Sequence, residues 1–186
     1  MRTTPPIPRK IVLFLDYDGV LHPDAAYLTR RGPVLRAEGE LFMWAPILVE
    51  LLRPYPDVQI VLSTSWVRML GFGRARDYLP VDLRSRVIGG TWHSAMGRHA
   101  EGSHRSESTW FTESSRYEQI ARFISRAGGR ANHWLAIDDD AEEWADSQRL
   151  RLVETDGDTG LSSPLVQNEL RAKLLWLREA ANVDRV

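Results

Sequence analysis

The chain has 186 residues, 43% of them hydrophobic and 26% charged, with a formal net charge of −1. That length fits one domain burying roughly 70% of its unfolded surface, and the composition is that of a soluble globular protein. The lack of cysteine excludes disulfides, zinc thiolates and thiol nucleophiles, and the balanced charge supplies no global basic field for coating a nucleic acid.

Met1 to Pro8 is proline-rich without the apolar core of a signal peptide. No apolar run nears the roughly 20 residues that span a bilayer. The expectation is a cytoplasmic protein with no membrane partner, a flexible N-terminus over 1–9 and a single domain over 10–186. Nothing in the sequence specifies an oligomeric state.

Ile11-Val12-Leu13-Phe14-Leu15 is short and continuously apolar, as a strand covered on both faces is, and Asp16-Tyr17-Asp18-Gly19 ends it. Residues 20–40 read as an irregular excursion broken by Pro23, Gly32, Pro33 and Gly39. Pro46 opens a helix carrying Ile47, Leu48, Leu51 and Leu52, which Pro54 and Pro56 stop. Val58 to Leu62 is a second strand, running into Ser63-Thr64-Ser65-Trp66. Short helices over 66–70 and 74–79 and a strand from Val87 to Thr91 follow. Residues 93–115, rich in Ser, His, Gly and Arg, read as a long loop.

Ser115-x-x-Glu118 has the pattern of a capping box, with Tyr117, Ile120, Ala121 and Ile124 at helical spacing before Gly128-Gly129. His133 to Ile137 is a third strand, ending in Asp138-Asp139-Asp140. A helix over 141–147, a strand from Leu150 to Val153 and a terminal helix from Ser163-Pro164 complete the chain. Strands alternating with helices imply an α/β domain with a mainly parallel sheet.

Ligands of open α/β sheets bind beyond the carboxyl ends of the strands. Those ends carry Asp16 and Asp18, Ser63 and Thr64, and Asp138 and Asp139. Carboxylates converging from two strands repel unless a hard cation joins them, and magnesium suits oxygen ligands with a phosphate nearby. A metal-screened carboxylate can attack phosphorus, which makes Asp16 the candidate nucleophile, and Asp18 is placed for acid–base work. Read alone, Asp16-x-Asp18-Gly19 also fits a strand-ending turn, and Ser63-Thr64-Ser65 is equally a helix cap. Arg116 follows the Ser115 cap at the positive end of a helix dipole, a conflict that a bound phosphate would relieve. Arg98 and Arg105 compete for that role. Asp140 reads as a cap, Asp156-Gly157-Asp158 as a turn, His93, His99 and His104 as a polar loop, and Trp66 and Trp92 as packing.

In this order, Leu13-Phe14-Leu15-Asp16-Tyr17-Asp18-Gly19-Val20-Leu21, Ile60-Val61-Leu62-Ser63-Thr64, Arg116 and Leu135-Ala136-Ile137-Asp138-Asp139 resemble the four motifs of the haloacid dehalogenase (HAD) superfamily of phosphohydrolases. Ser63-Thr64-Ser65-Trp66 and Thr159-Gly160-Leu161 also resemble a subgroup found among RNA-repair proteins. The resemblance implies a three-layer Rossmann-like fold with helices on both faces and a minimal cap. It implies a phosphomonoesterase with Asp16 as nucleophile and Asp18 as acid/base. Mg2+ would be held by Asp16, the Asp18 backbone carbonyl and one or both of Asp138 and Asp139. Ser63 and Arg116 would bind the phosphoryl group, with Thr64 the substitute for Ser63. Two departures stand out. The superfamily usually has lysine where Arg116 falls, and no large cap fits between Asp18 and Ser63. The open site implied would admit a small phosphorylated molecule, a phosphoprotein or a nucleic-acid end. The alternatives are a receiver-like phospho-acceptor module, a scaffold of the same fold and a polynucleotide-end phosphatase.

Overall fold

The computed structural model describes residues 11–92, 110–127 and 133–183. Strand β1 (Val12–Leu15) has all four side chains buried, so neither of its faces can be left to water. It accordingly takes the centre of a five-stranded sheet of order β5-β4-β1-β6-β7, where β4 is Gln59–Leu62, β5 Val87–Gly90, β6 Trp134–Asp138 and β7 Leu152–Glu154. All four pairings are parallel. The expected α/β, Rossmann-like architecture is present.

Side chains alternate across each strand, and the alternation divides the core. Leu13 and Leu15 face one cluster with Ile60, Leu62, Leu135 and Ile137. Helix α1 (Ala45–Leu52) and the C-terminal helix of the chain cover that side. Pro46 starts α1, and the C-terminal helix (Pro164–Val183) buries Val166, Leu170, Leu174, Leu177 and Ala181 at helical spacing. Val12 and Phe14 face the other cluster, where Ile120 and Phe123 pack from a helix over Arg116–Arg126. Phe14 meets Phe123 edge-on at 5.5 Å and Trp134 edge-on at 5.8 Å.

Short helices α2 (Ser65–Leu70) and α3 (Phe72–Asp77) lie between β4 and β5 near the two expected from the sequence, and a third, α4 (Val81–Arg84), was not expected. In chain order the later helices are α5 (Arg116–Arg126), α6 (Asp146–Arg149) and α7 (Pro164–Val183). The capping box of α5 is formed: Ser115 Oγ accepts from the Glu118 N–H at 3.3 Å, and Glu118 Oε2 accepts from the Ser115 N–H at 3.1 Å.

Three expectations need correction. Residues 20–40 are not irregular throughout, because β2 (Ala26–Thr29) and β3 (Gly32–Leu35) form an antiparallel hairpin. Pro33 suggested a break, yet an isolated two-stranded ribbon leaves edges where proline is tolerated. Residues 110–113 are helical rather than loop. The helix expected over 141–147 is displaced to α6. Asp138 and Asp140 accept backbone N–H groups two residues on, at 3.1 and 2.9 Å, and Glu143 has φ +60°, so turns replace the helix. The expectations for 1–9, for 93–109 and for the Gly128-Gly129 stop lie outside the described residues. No described helix is long and apolar enough to cross a membrane.

Candidate active site

The sheet register assembles the site. Leu15 pairs with Leu62 on one side and with Ile137 on the other, so the next residues, Asp16, Ser63 and Asp138, emerge in one row at the carboxyl edge. Asp16 and Asp138 are 4% and 1% exposed, and Ser63 is fully buried. One carboxylate oxygen from each of Asp16, Asp138 and Asp139 lies within 4.8 Å of the other two. Arg116, the first residue of α5, reaches this row. Its Nη2 donates to Asp16 Oδ2 at 3.0 Å, and its Nε is 2.9 Å from Asp138 Oδ2 as an ion pair. The second Asp16 oxygen accepts from the Tyr17 N–H at 2.7 Å.

Burying this much negative charge around one guanidinium is unfavourable, and the carboxyl groups respond. Burial pushes Asp16 above the usual carboxylate range, with Arg116 opposing it. Burial, then the charge of Asp16, pushes Asp138 well above that range. Burial, then Asp16 and Asp24, raises Asp139 to about 7. Arg116 moves the other way: burial works against its charge, but Asp16 and Asp138 outweigh it and its pKa is raised. Asp138 Oδ2 and Ser63 Oγ are buried with no hydrogen-bond partner among the described residues. Clustered oxygen donors with unsatisfied acceptor capacity fit a hard divalent cation.

Asp18 has different surroundings. Its Oδ2 accepts from Trp66 Nε1 at 2.8 Å and its Oδ1 lies 3.1 Å from His22 Nε2. His22 is fully buried, and its Nδ1 faces the Phe42 N–H at 3.4 Å, which assigns the imidazole proton to Nε2 and makes it a donor to Asp18. The model of the family described as the HAD domain in Swiss Army Knife RNA repair proteins matches residues 12–166. The chain belongs to this family. No curated protein matches it.

The match runs from β1 into the first turn of α7, so the HAD domain takes in every site residue expected from the sequence. Membership supports a phosphohydrolase at the level of the superfamily, whose members usually use a divalent metal. The structure brings Asp16, Ser63, Arg116, Asp138 and Asp139 to one edge, with Thr64 beside Asp16. Thr64 also caps α2, its Oγ1 accepting from the Trp66 N–H at 3.4 Å, so the capping reading of that segment holds too. Asp140 was expected to cap a helix, but no helix starts there; its Oδ1 accepts from the Glu142 N–H at 2.9 Å in a turn. Asp156 is a turn former, its Oδ1 accepting from the N–H groups of Asp158 and Thr159 at 3.0 and 3.2 Å. Arg98, Arg105, His93, His99 and His104 lie outside the described residues.

Gly19 answers two demands. Its φ is +66°, and a Cβ there would fall 2.2 Å from Asp139 Oδ2. Any side chain would therefore strain the turn after β1 and push Asp139 out of the cluster.

His22 and Trp66 are the residues that sequence reasoning missed. Trp66 does pack, meeting Tyr17, Phe42 and Tyr78 edge-on at 5.6, 5.3 and 5.2 Å, but its indole N–H also belongs to the site. Trp92 packs against Phe111 at 4.9 Å, as expected of a core residue. His22 lies four residues after Asp18, a spacing that carries no meaning until the chain turns at Gly19.

Proposed function

We propose that this HAD domain hydrolyses a phosphomonoester by attack of the Asp16 carboxylate on phosphorus, with Asp18 as general acid and base. The observation that carries the reading is the contrast between the two. Asp16 lies in an acidic cluster beneath a guanidinium, and Asp18, two residues on, is held outside it by the Trp66 indole and the His22 imidazole. Environments that differ this much suit different tasks.

In the first step an Asp16 oxygen bonds to phosphorus, the ester P–O bond breaks, and Asp18 gives its proton to the departing oxygen. In the second, Asp18 takes a proton from water, the hydroxyl oxygen bonds to phosphorus, and the Asp16–phosphorus bond breaks to release inorganic phosphate. Arg116 and the Ser63 hydroxyl, with Thr64 beside it, bind phosphoryl oxygens and stabilise charge as it shifts. A divalent cation, Mg2+ in this proposal, held by Asp16, the Asp18 backbone carbonyl and the Asp138–Asp139 pair, would supply the positive charge that lets a phosphate dianion approach a carboxylate. The substrate is a phosphorylated small molecule or nucleic-acid end. The family's association with RNA repair supports the second.

Asp16→Asn keeps the size of the side chain and removes the nucleophile. Magnesium-dependent hydrolysis of p-nitrophenyl phosphate should fall at least about a thousandfold. Activity within a few-fold of the parent protein would remove Asp16 from the reaction.

A further inference from the structure

A second feature of defined chemistry lies outside the carboxylate row: a cleft of about 460 Å³ between the tip of the β2–β3 hairpin and helix α3. Arg30 and Arg31 line it from the hairpin turn, and Arg74 and Tyr78 line it from α3 and the residue that follows. All three arginines are exposed. None has a carboxylate within ion-pair distance among the described residues. The acid that lines the cleft, Asp77, is drawn to Arg76 at 3.4 Å and Arg84 at 3.9 Å. Three arginines thus line one cleft whose acid is already paired elsewhere, in a chain of net charge −1. Their mutual repulsion gains the fold nothing, and it is relieved by an anion.

The cleft shares a wall of aromatic rings with the Asp18 side of the site. Tyr78 stacks on Phe42 at 5.7 Å and meets Trp66 edge-on at 5.2 Å, and Trp66 donates to Asp18. A Cβ on Gly32 would lie 3.6 Å from the Tyr78 hydroxyl, so the hairpin tip lies beside that hydroxyl. Two aromatic rings separate Asp18 from the cleft.

We propose that this cleft binds a second phosphate group of the substrate whose phosphomonoester is cleaved at Asp16. Guanidiniums from two elements grip that phosphate, and Tyr78 lies against the group joining the two phosphates. This rests on the reading of Asp16 as nucleophile and deepens it by naming the substrate class. The second phosphate is either terminal, as in a nucleoside bisphosphate, or a phosphodiester, as in an oligonucleotide end.

The experiment compares kcat/KM for a nucleoside 3′-monophosphate, a nucleoside 3′,5′-bisphosphate and a dinucleotide ending in a 3′-phosphate. The parent protein and the variants Arg30→Ala/Arg31→Ala and Arg74→Gln are each assayed. Doubly phosphorylated substrates should exceed the monophosphate by about tenfold or more, and each variant should lower that ratio, the double variant by about tenfold. Raising the salt should shrink the preference as well. A dinucleotide preferred over the bisphosphate assigns the cleft to a phosphodiester, and the reverse order assigns it to a terminal phosphate. No preference in the parent protein, or a preference that survives both variants, overturns the proposal. Calorimetric binding of the same three compounds reads the cleft independently of turnover. A protein that binds with this selectivity but hydrolyses none of them contradicts the Asp16 reading and leaves the cleft assigned.

Discussion

Asp16 and Asp18 stand two positions apart at one strand end, and their neighbours give them different chemistry. Asp16 shares Arg116 with Asp138, so its charge is bound up with the cluster. Asp18 receives an indole N–H on one oxygen and an imidazole N–H on the other. Trp66→Phe keeps most of the ring packing and deletes the donor at 2.8 Å. Losing a hydrogen bond to a charged group costs about 1.5–3 kcal/mol, so kcat should fall roughly ten- to a hundredfold. The loss should be larger for phenyl phosphate than for p-nitrophenyl phosphate, because the poorer leaving group depends more on a proton from Asp18. Equal losses for the two esters would assign Trp66 to packing alone.

At the scale of elements, α5 matters most, because it delivers Arg116 to the carboxylates. Its Ser115–Glu118 box satisfies the first-turn donors that would otherwise be orphaned, and it sets where Arg116 begins the helix. Ser115→Ala should destabilise the protein by about 0.5–2 kcal/mol, read as a lower midpoint in denaturant. Because Arg116 is the next residue, the same variant should raise KM for p-nitrophenyl phosphate; a lower midpoint with KM unchanged would separate the cap from the site. This box was legible in the sequence because its partners are three residues apart. The β2–β3 hairpin was not, since Gly32 and Pro33 signal a break as readily as the second strand of a ribbon. The α6 displacement was hidden for a related reason: 141–147 has helix-forming residues, and the turns that override them depend on where Asp138 and Asp140 point.

For the whole molecule, the buried carboxylate cluster has a cost in stability that depends on pH. In the metal-free protein Asp139 keeps its proton up to about 7, against an ordinary value of 3.8. Between those values the folded chain binds more protons than the unfolded one, so the free energy of unfolding falls as pH rises. The contribution is intact below about pH 4 and lost above about pH 7. Protons and a divalent cation compete for the same oxygens, so Mg2+ should raise the thermal midpoint more at about pH 8 than at about pH 5. Thermal melts with and without Mg2+ test this, and equal shifts at the two pH values would contradict the cluster as the binding site.

The sequence by itself determined the strand pattern, the sheet edge that bears the carboxylates and the cap that starts α5. Each of these is written in residues a few positions apart, where alternation, breakers and capping carry the signal. Only the tertiary structure decided that Arg116 bridges Asp16 and Asp138 and that Trp66 and His22 hold Asp18. The Trp66–Asp18 and Arg116–Asp16 bonds join residues 48 and 100 positions apart. Local periodicity does not encode such contacts; they come into being when parallel strands align in register and their ends meet.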